Sequence, residues 1–253
     1  MKINLFKTAE IYAVLLITVY MLGCQPPSNS VATLTQTDPL VQIEAKSIPV
    51  KGVAKVVCEI EGCVRFDLHT VDTNLDWIDQ YFIERIQHTE PVAFTKVTQK
   101  NPKKADEPHY LDQRFIKVLF IAQRDHLATF ALISSNLVKN HTASSEHVEY
   151  INFDMKQKKR LALHQLMLKG GEQKLLNVIY RTNTRWLRTQ GIQAQQLKLS
   201  DNYYFDRSGL VLVYPAGELT SKAAGTPELK VSYADLGEVI WPEYLAILQP
   251  KTS

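Results

Sequence analysis

Apolar residues near the amino terminus form one continuous run, whereas those further along the chain recur at the spacings of strands and helices. Residues 11–22 are the apolar core of that run, and Lys2 and Lys7 precede it. The run is too short to cross a membrane comfortably. A positive start, a short apolar stretch and a small residue before the cleavage point are typical of a secretory signal. We therefore predict that residues 1–23 are a signal peptide.

The apolar run ends in Met21-Leu22-Gly23-Cys24, which resembles a bacterial lipobox. In such signals the cysteine thiol receives a diacylglyceryl group, and the chain is cleaved just before it. The resemblance implies that Cys24 is lipidated, carries palmitate, and attaches the mature protein to a membrane. Gln25 is not the aspartate associated with inner-membrane retention, so we expect the periplasmic face of an outer membrane in the cell envelope. The alternative is an uncleaved anchor helix with an incidental cysteine.

A polar stretch follows the cysteine, rich in proline, serine, threonine and glutamine, as in Pro26-Pro27-Ser28. Such a composition buries little apolar surface and favours a flexible chain. We therefore predict that residues 24–52 are a flexible tether.

The rest of the chain alternates between short strand patterns and helical patterns. Period-two or short apolar runs predict strands over residues 53–59, 64–71, 92–98, 115–123, 127–138, 147–154, 203–206, 210–214 and 229–232. Helical spacing predicts helices over residues 75–87, 163–168, 172–190 and 233–240, with Pro242 bending or ending the last one. Strands grouped in hairpins with helices at intervals indicate an α+β fold of mostly antiparallel sheets packed with a few helices.

Cys58 and Cys63 flank a short turn between the first two predicted strands. In a hairpin, cysteines so placed lie within disulfide reach, and an oxidising envelope compartment keeps such a bond formed. The rival interpretation is a pair of metal ligands. Zinc requires four protein ligands, or three and a water, and the sequence has no second cysteine pair. We therefore predict a disulfide and no metal.

The bulk composition is that of a folded body with no strong charge. The chain has 253 residues, of which 45% are hydrophobic and 22% charged, and its net charge is +3. Residues 1–23 hold two lysines and one glutamate, so the mature chain has a net charge of +2. This charge is too small to indicate nucleic acid binding.

Several strings in the last hundred residues occur together in one order. They include Asn152-Phe153-Asp154, Asn202-Tyr203-Tyr204-Phe205 and Ser208-Gly209-Leu210, followed by Val231-Ser232-Tyr233. This order resembles the carboxyl-terminal domain of RsiV-type extracytoplasmic anti-sigma factors. That domain also occurs beside the catalytic domain of some peptidoglycan deacetylases and in envelope lipoproteins.

The resemblance implies two small subdomains, intertwined or adjacent, over residues 53–138 and 139–253. It also implies a non-catalytic binding domain, which binds lysozyme in some members. Family members often carry a Gly-Gly-Ala-His stretch before the Asn-Phe-Asp strand, and here only His147 of that stretch remains. We therefore expect the partner to be lysozyme, another envelope protein or a glycan.

A search for catalytic motifs finds no Gly-x-Ser-x-Gly elbow, no phosphate-binding glycine loop and no His-Glu-x-x-His. The polar cluster best suited to a catalytic or metal-binding role consists of His141, His147 and Glu149. The last two point to the same face of a predicted strand, and a third ligand from His141 would complete a metal site. The alternative is the polar face of an edge strand. We predict no catalytic residue and no cofactor, and keep an envelope enzyme acting on peptidoglycan or another glycan as the alternative function.

Overall fold

Two β-sheets and four α-helices make up the part of the chain that the structure describes. The structure is a computed structural model that describes residues 40–59, 62–95, 111–138, 145–221 and 225–250. The strands are β1 Ala45–Pro49, β2 Val56–Glu59, β3 Gly62–Thr73, β4 Leu111–Arg124, β5 Leu127–Leu137, β6 Ser145–Asp154, β7 Lys159–Arg160, β8 Tyr203–Phe205, β9 Gly209–Val213 and β10 Glu228–Ser232. The helices are α1 Asp76–Thr89, α2 Gly171–Thr182, α3 Thr184–Thr189 and α4 Pro242–Leu248. None of the helices among the described residues is long and apolar enough to span a bilayer.

The larger sheet has the strand order β1-β3-β4-β5-β6-β7, and β2 also pairs with β3. Every pairing in it is antiparallel except that of β3 with β4. Parallel neighbours need a crossover connection, and α1 lies in the segment between these two strands. The α+β fold predicted from the sequence, with mostly antiparallel sheets, is therefore confirmed.

Helix α1 packs on the larger sheet through residues spaced four apart. Ile78, Phe82 and Ile86 are fully buried, as the helical spacing predicts. Phe153 of β6 is the centre of an aromatic cluster, with ring centroids 5.0–5.8 Å from those of four other aromatic residues: Trp77, Tyr81, Phe82 and Phe130. Most of these pairs are edge-to-face, the arrangement that aromatic quadrupoles favour. Ile151 and Phe153 of β6 thus belong to the α1 core.

A second core lies around the smaller sheet, which has the order β10-β9-β8. All five residues of the central strand β9 are buried, whereas β10 alternates between exposed and buried positions. Helix α2 contributes the buried residues Leu175 and Ile179 to the same cluster. An edge strand with one solvated face produces this alternation, and a strand covered on both faces does not.

Two predicted strand and helix assignments near prolines are wrong. Pro91–Phe94 form a 3₁₀-helix within the range predicted as a strand at 92–98, and residues 96–98 lie outside the described residues. Only Tyr233–Asp235 form a 3₁₀ turn within the predicted helix at 233–240, and Pro242 begins α4. In both cases the proline occupies the first turn, where its fixed φ favours a helical start and no amide hydrogen is needed.

The long helix predicted at 172–190 is divided into α2 and α3 at Asn183. The Asn183 side-chain amide donates to the Lys230 carbonyl over 3.0 Å, and its Oδ1 accepts from the Lys230 amide over 3.4 Å. Asn183 thereby forms backbone-like hydrogen bonds with the edge strand β10. The apolar periodicity continues through the break, which is why the sequence pattern does not reveal it.

The larger sheet includes residues on both sides of two predicted boundaries, the end of the tether at residue 52 and the division at residue 138. Ala45–Pro49, inside the predicted tether, pair with β3, and Val50 after them is buried. Strand β6 pairs with β5 over ten residue pairs, from Leu127–Asp154 to Asn136–Ser145. The strand that follows the predicted division at residue 138 therefore belongs to the larger sheet, and the division into two subdomains stays a prediction.

The hydroxyl of Thr70 on β3 is buried and has no hydrogen-bond partner among the described residues. We expect Thr70→Val to raise the free energy of unfolding by about 1 kcal/mol, because the isosteric methyl removes an unsatisfied polar group. Thr129→Val is the matched control, since the Thr129 hydroxyl donates to Asn152 Oδ1 over 2.7 Å. The control should lose about 1 kcal/mol in urea titrations. Equal destabilisation by both substitutions would contradict this assignment.

Candidate functional site

The residues predicted to carry function are divided between described and undescribed parts of the chain. Cys24 and His141 lie outside the described residues. Their predicted roles, lipidation for the cysteine and a polar site for the histidine, stay predictions. The other four, Cys58, Cys63, His147 and Glu149, all lie in strands of the larger sheet.

Cys58 and Cys63 form a disulfide, as their spacing predicts. They are directly opposite each other in the β2–β3 hairpin, with an S–S distance of 2.07 Å and a Cα–Cα distance of 4.0 Å. Both are buried and pack with Leu111 in a small cluster separate from the two main cores. The bond therefore fastens the outer end of the hairpin, where apolar packing is limited.

His147 and Glu149 occur two residues apart on β6, and among the described residues they are not part of a metal-binding group. His147 is exposed, and Glu149 Oε2 accepts a hydrogen bond from Arg85 of α1 over 2.9 Å. Arg160 of β7 lies 3.8 Å from the other carboxylate oxygen. In the described part of the chain, no group of three or more histidine, cysteine, aspartate or glutamate side chains has a metal-binding arrangement. Glu149 is instead neutralised by two guanidinium groups.

The pairing of Glu149 extends into a chain of four alternating charges: Arg85, Glu149, Arg160 and Asp201. Arg160 Nη2 lies 3.3 Å from Asp201 Oδ2 in the loop before β8. The side chains are 44%, 17%, 39% and 49% exposed, in that order. Exposed ion pairs contribute little to stability individually, so this chain acts mainly to orient the four segments that carry it. It holds no unpaired carboxylate poised for acid–base chemistry.

The open edge of β6 is closed by the side chain of Asn202. Its Oδ1 accepts from the Tyr150 amide over 2.7 Å, and its Nδ2 donates to the Val148 carbonyl over 2.8 Å. A primary amide carries both a donor and an acceptor, so it reproduces the hydrogen bonds of a neighbouring strand. Asn202 thereby joins the loop before β8 to the edge of the larger sheet.

Asn152 makes the reciprocal connection from β6 to the smaller sheet. Its Nδ2 donates to the Tyr203 carbonyl over 2.8 Å, and its Oδ1 accepts from the Thr129 hydroxyl. Tyr203, which is itself buried, donates its hydroxyl to the Leu161 carbonyl over 2.7 Å. Burial raises the pKa of the Tyr203 phenol, so the hydroxyl remains a donor at any physiological pH. Asn152 and Asn202 together form what we call the asparagine junction.

Asp154 completes the Asn-Phe-Asp string at the end of β6. It is buried, and its carboxylate accepts hydrogen bonds from the Lys156 amide, the Gln157 amide and the Gln157 side chain. These contacts form the turn into β7. Each of the three residues in the string therefore has a structural role, since Phe153 lies in the α1 core and Asn152 in the asparagine junction.

A surface groove lies beside the start of α2. We call it the α2 groove. Its volume is about 360 Å³, and its lining includes Leu163, His164, Met167, Glu172, Leu199 and Asp201. This volume lies in the range of small-molecule and side-chain binding sites. Asp201 connects the groove to the chain of four charges.

The partners of Glu149 could not be found from the sequence. Arg85 is 64 residues away along the chain, and Asp201 is 41 residues from Arg160. The run of basic residues ending at Arg160 carries no sequence signal for its contacts with Glu149 and Asp201. A signal does exist for Asn202, because it belongs to one of the strings that carry the family resemblance.

These contacts define the chain as an α+β protein whose two sheets are joined through asparagine side chains. A family model described as "Protein of unknown function (DUF3298)" matches residues 93–234, which is more than half of the chain. The chain therefore belongs to the DUF3298 family. This family is associated with RsiV-like domains, which agrees with the resemblance found in the sequence.

Two crystal structures of DUF3298 proteins are similar to this chain. The protein from Pseudomonas aeruginosa PAO1 has a TM-score of 0.55 and 18% identity, covering 85% of this chain and 99% of its own. The protein from Bacteroides fragilis NCTC 9343 has a TM-score of 0.61 and 12% identity, covering 83% of this chain and 98% of its own. No curated protein matches the chain. At these identities the likeness establishes the fold and leaves the function open.

If the asparagine junction joins the two sheets, removal of the Asn202 side-chain amide should lower the stability of the protein substantially. We expect Asn202→Ala to lower the free energy of unfolding by about 2 kcal/mol, because the Tyr150 amide and the Val148 carbonyl both lose their partner. The exposed Asn136 on β5 provides the control, and Asn136→Ala should change the value by less than about 0.5 kcal/mol. Urea unfolding of both variants measures the difference. Equal values for the two variants would show that Asn202 does not hold the sheets together.

Proposed function

We propose that this protein is a lipid-anchored protein of the bacterial cell envelope whose folded body binds a ligand without catalysing a reaction. The observation that carries the proposal is the string Met21-Leu22-Gly23-Cys24 directly after the short apolar run. The Cys58–Cys63 disulfide supports it, because such bonds persist in oxidising compartments outside the cytoplasm. Membership of the DUF3298 family, with its association with RsiV-like domains, also supports it.

The proposed location is the periplasmic face of an outer membrane. Cys24 supplies the lipid anchor, and Gln25 after it lacks the negative charge associated with inner-membrane retention. Two or more acyl chains give stable anchoring, whereas one gives only reversible binding. The anchor would therefore keep the binding domain at the membrane face.

Lysozyme is the first partner to test, and a peptidoglycan-related glycan or another envelope protein is the next. Lysozymes are usually cationic, whereas the mature chain has a net charge of +2, so no overall field attracts them. The contact would have to come from a local surface of opposite charge. Glu149 does not support the enzyme alternative, because Arg85 and Arg160 neutralise its carboxylate.

If Cys24 is lipidated, replacing its sulfur atom should prevent acylation of the protein. In a diderm host supplied with radioactive palmitate, the protein should incorporate label and sediment with membranes. Cys24→Ser removes the acceptor thiol and should abolish both. The double variant Cys58→Ser/Cys63→Ser is the control and should keep the label, since its cysteines are not in the signal. Label retained in Cys24→Ser, or absent from the unaltered protein, would contradict the anchor.

Partner binding can be measured with the full chain extracted in a mild non-ionic detergent and immobilised. We expect retention of at least one lysozyme from a panel at low salt, with release as the salt concentration rises, because screening weakens charge contacts. A neutral protein of similar size controls for non-specific adsorption. Absence of retention at low salt for every lysozyme would exclude this partner. Retention that does not change with salt concentration would exclude a contact based on charge.

A further inference from the structure

The α2 groove has a rigid apolar floor. Leu163 and Met167 are buried, and Leu199 is half-buried and packs against the same core. Because these side chains are fixed by the core beneath them, the floor is preformed and needs no ordering when a ligand enters. An apolar floor favours a ligand with a hydrocarbon segment.

The polar lining of the groove consists of two acidic side chains, Glu172 and Asp201, together with His164 and Ser200. Glu172 lies in the first turn of α2, is exposed, and has no hydrogen-bond or ionic partner among the described residues. Asp201 is held by the Leu163 amide at 2.8 Å and by Arg160 at 3.3 Å. The described residues that line the groove include no lysine or arginine. Glu172 is thus the free charge of the groove.

We propose that the α2 groove binds a lysine or arginine side chain presented by a protein partner. The aliphatic part of such a side chain would pack on Leu163, Met167 and Leu199, and its charged end would pair with Glu172. Long cationic side chains combine these two properties. An anion would be repelled by Glu172, and an entirely apolar ligand would desolvate this carboxylate without compensation. The inference rests on the proposed binding function and specifies the surface that provides it.

The test uses the full chain in non-ionic detergent and a fluorescent hexa-arginine peptide as the probe. A hexa-citrulline peptide has the same shape without the charge and is the ligand control. Glu172→Gln should weaken hexa-arginine binding about fivefold, the effect of losing one exposed charge pair. Glu84→Gln is the matched protein control, because Glu84 is an exposed helical carboxylate on α1. Glu84→Gln should leave the affinity unchanged.

Three results would overturn the inference. Equal weakening by Glu172→Gln and Glu84→Gln would show that the peptide senses only overall charge. Equal binding of hexa-citrulline would show that the guanidinium is not recognised. Binding of a chitin oligosaccharide that Glu172→Gln weakens, without hexa-arginine binding, would assign the groove to a glycan instead.

The same variants separate this inference from the proposed function. Lysozyme retention that is unaffected by Glu172→Gln would leave the binding function intact and exclude the α2 groove as its surface. Hexa-arginine binding that depends on Glu172 in a protein that retains no lysozyme would support the groove and exclude that partner.

Discussion

The two sheets meet at the open edge of β6. Strand β5 covers one edge of β6, and β7 pairs with only its last two residues. The exposed backbone of an edge strand would pair with other chains if it were left free. The Asn202 side-chain amide bonds to the backbone at that edge, and the Asn152 side chain donates a hydrogen bond to the Tyr203 carbonyl. These bonds, together with those from Arg124 on β4 to the Asp206 carbonyl and the Tyr233 hydroxyl, connect the smaller sheet to the larger one.

A third asparagine, Asn183, makes similar hydrogen bonds at the edge of the smaller sheet. Asn183 bonds both backbone groups of Lys230 on β10, and α2 ends where this contact is made. A side-chain amide in place of a neighbouring strand satisfies backbone groups at a sheet edge without lengthening either sheet. Asn152 and Asn202, which belong to the strings that carry the family resemblance, therefore have a structural explanation, and function has to be sought on the surface of the folded body.

Much of the fold could be predicted because its cores follow simple periodicities. The spacing of Ile78, Phe82 and Ile86 predicts α1, and the turn between Cys58 and Cys63 predicts their hairpin and disulfide. The site could not be predicted to the same extent. The contact of Arg85 with Glu149 joins residues 64 positions apart, and one sequence without an alignment carries no signal for such a pair. The break between α2 and α3 also involves a distant residue, because the Asn183 side chain bonds to the backbone of Lys230.

Hydrogen exchange of the Tyr150 amide measures whether the asparagine junction holds the two sheets together. This amide points away from β5, and its partner is Asn202 Oδ1 at 2.7 Å. If the asparagine junction holds the two sheets together, the Tyr150 amide should exchange as slowly as the amides in the centre of the larger sheet, because both would open only in global unfolding. If the Tyr150 amide exchanges at the rate of a solvent-exposed amide while the strand amides of β5 stay protected, the asparagine junction does not hold the two sheets together.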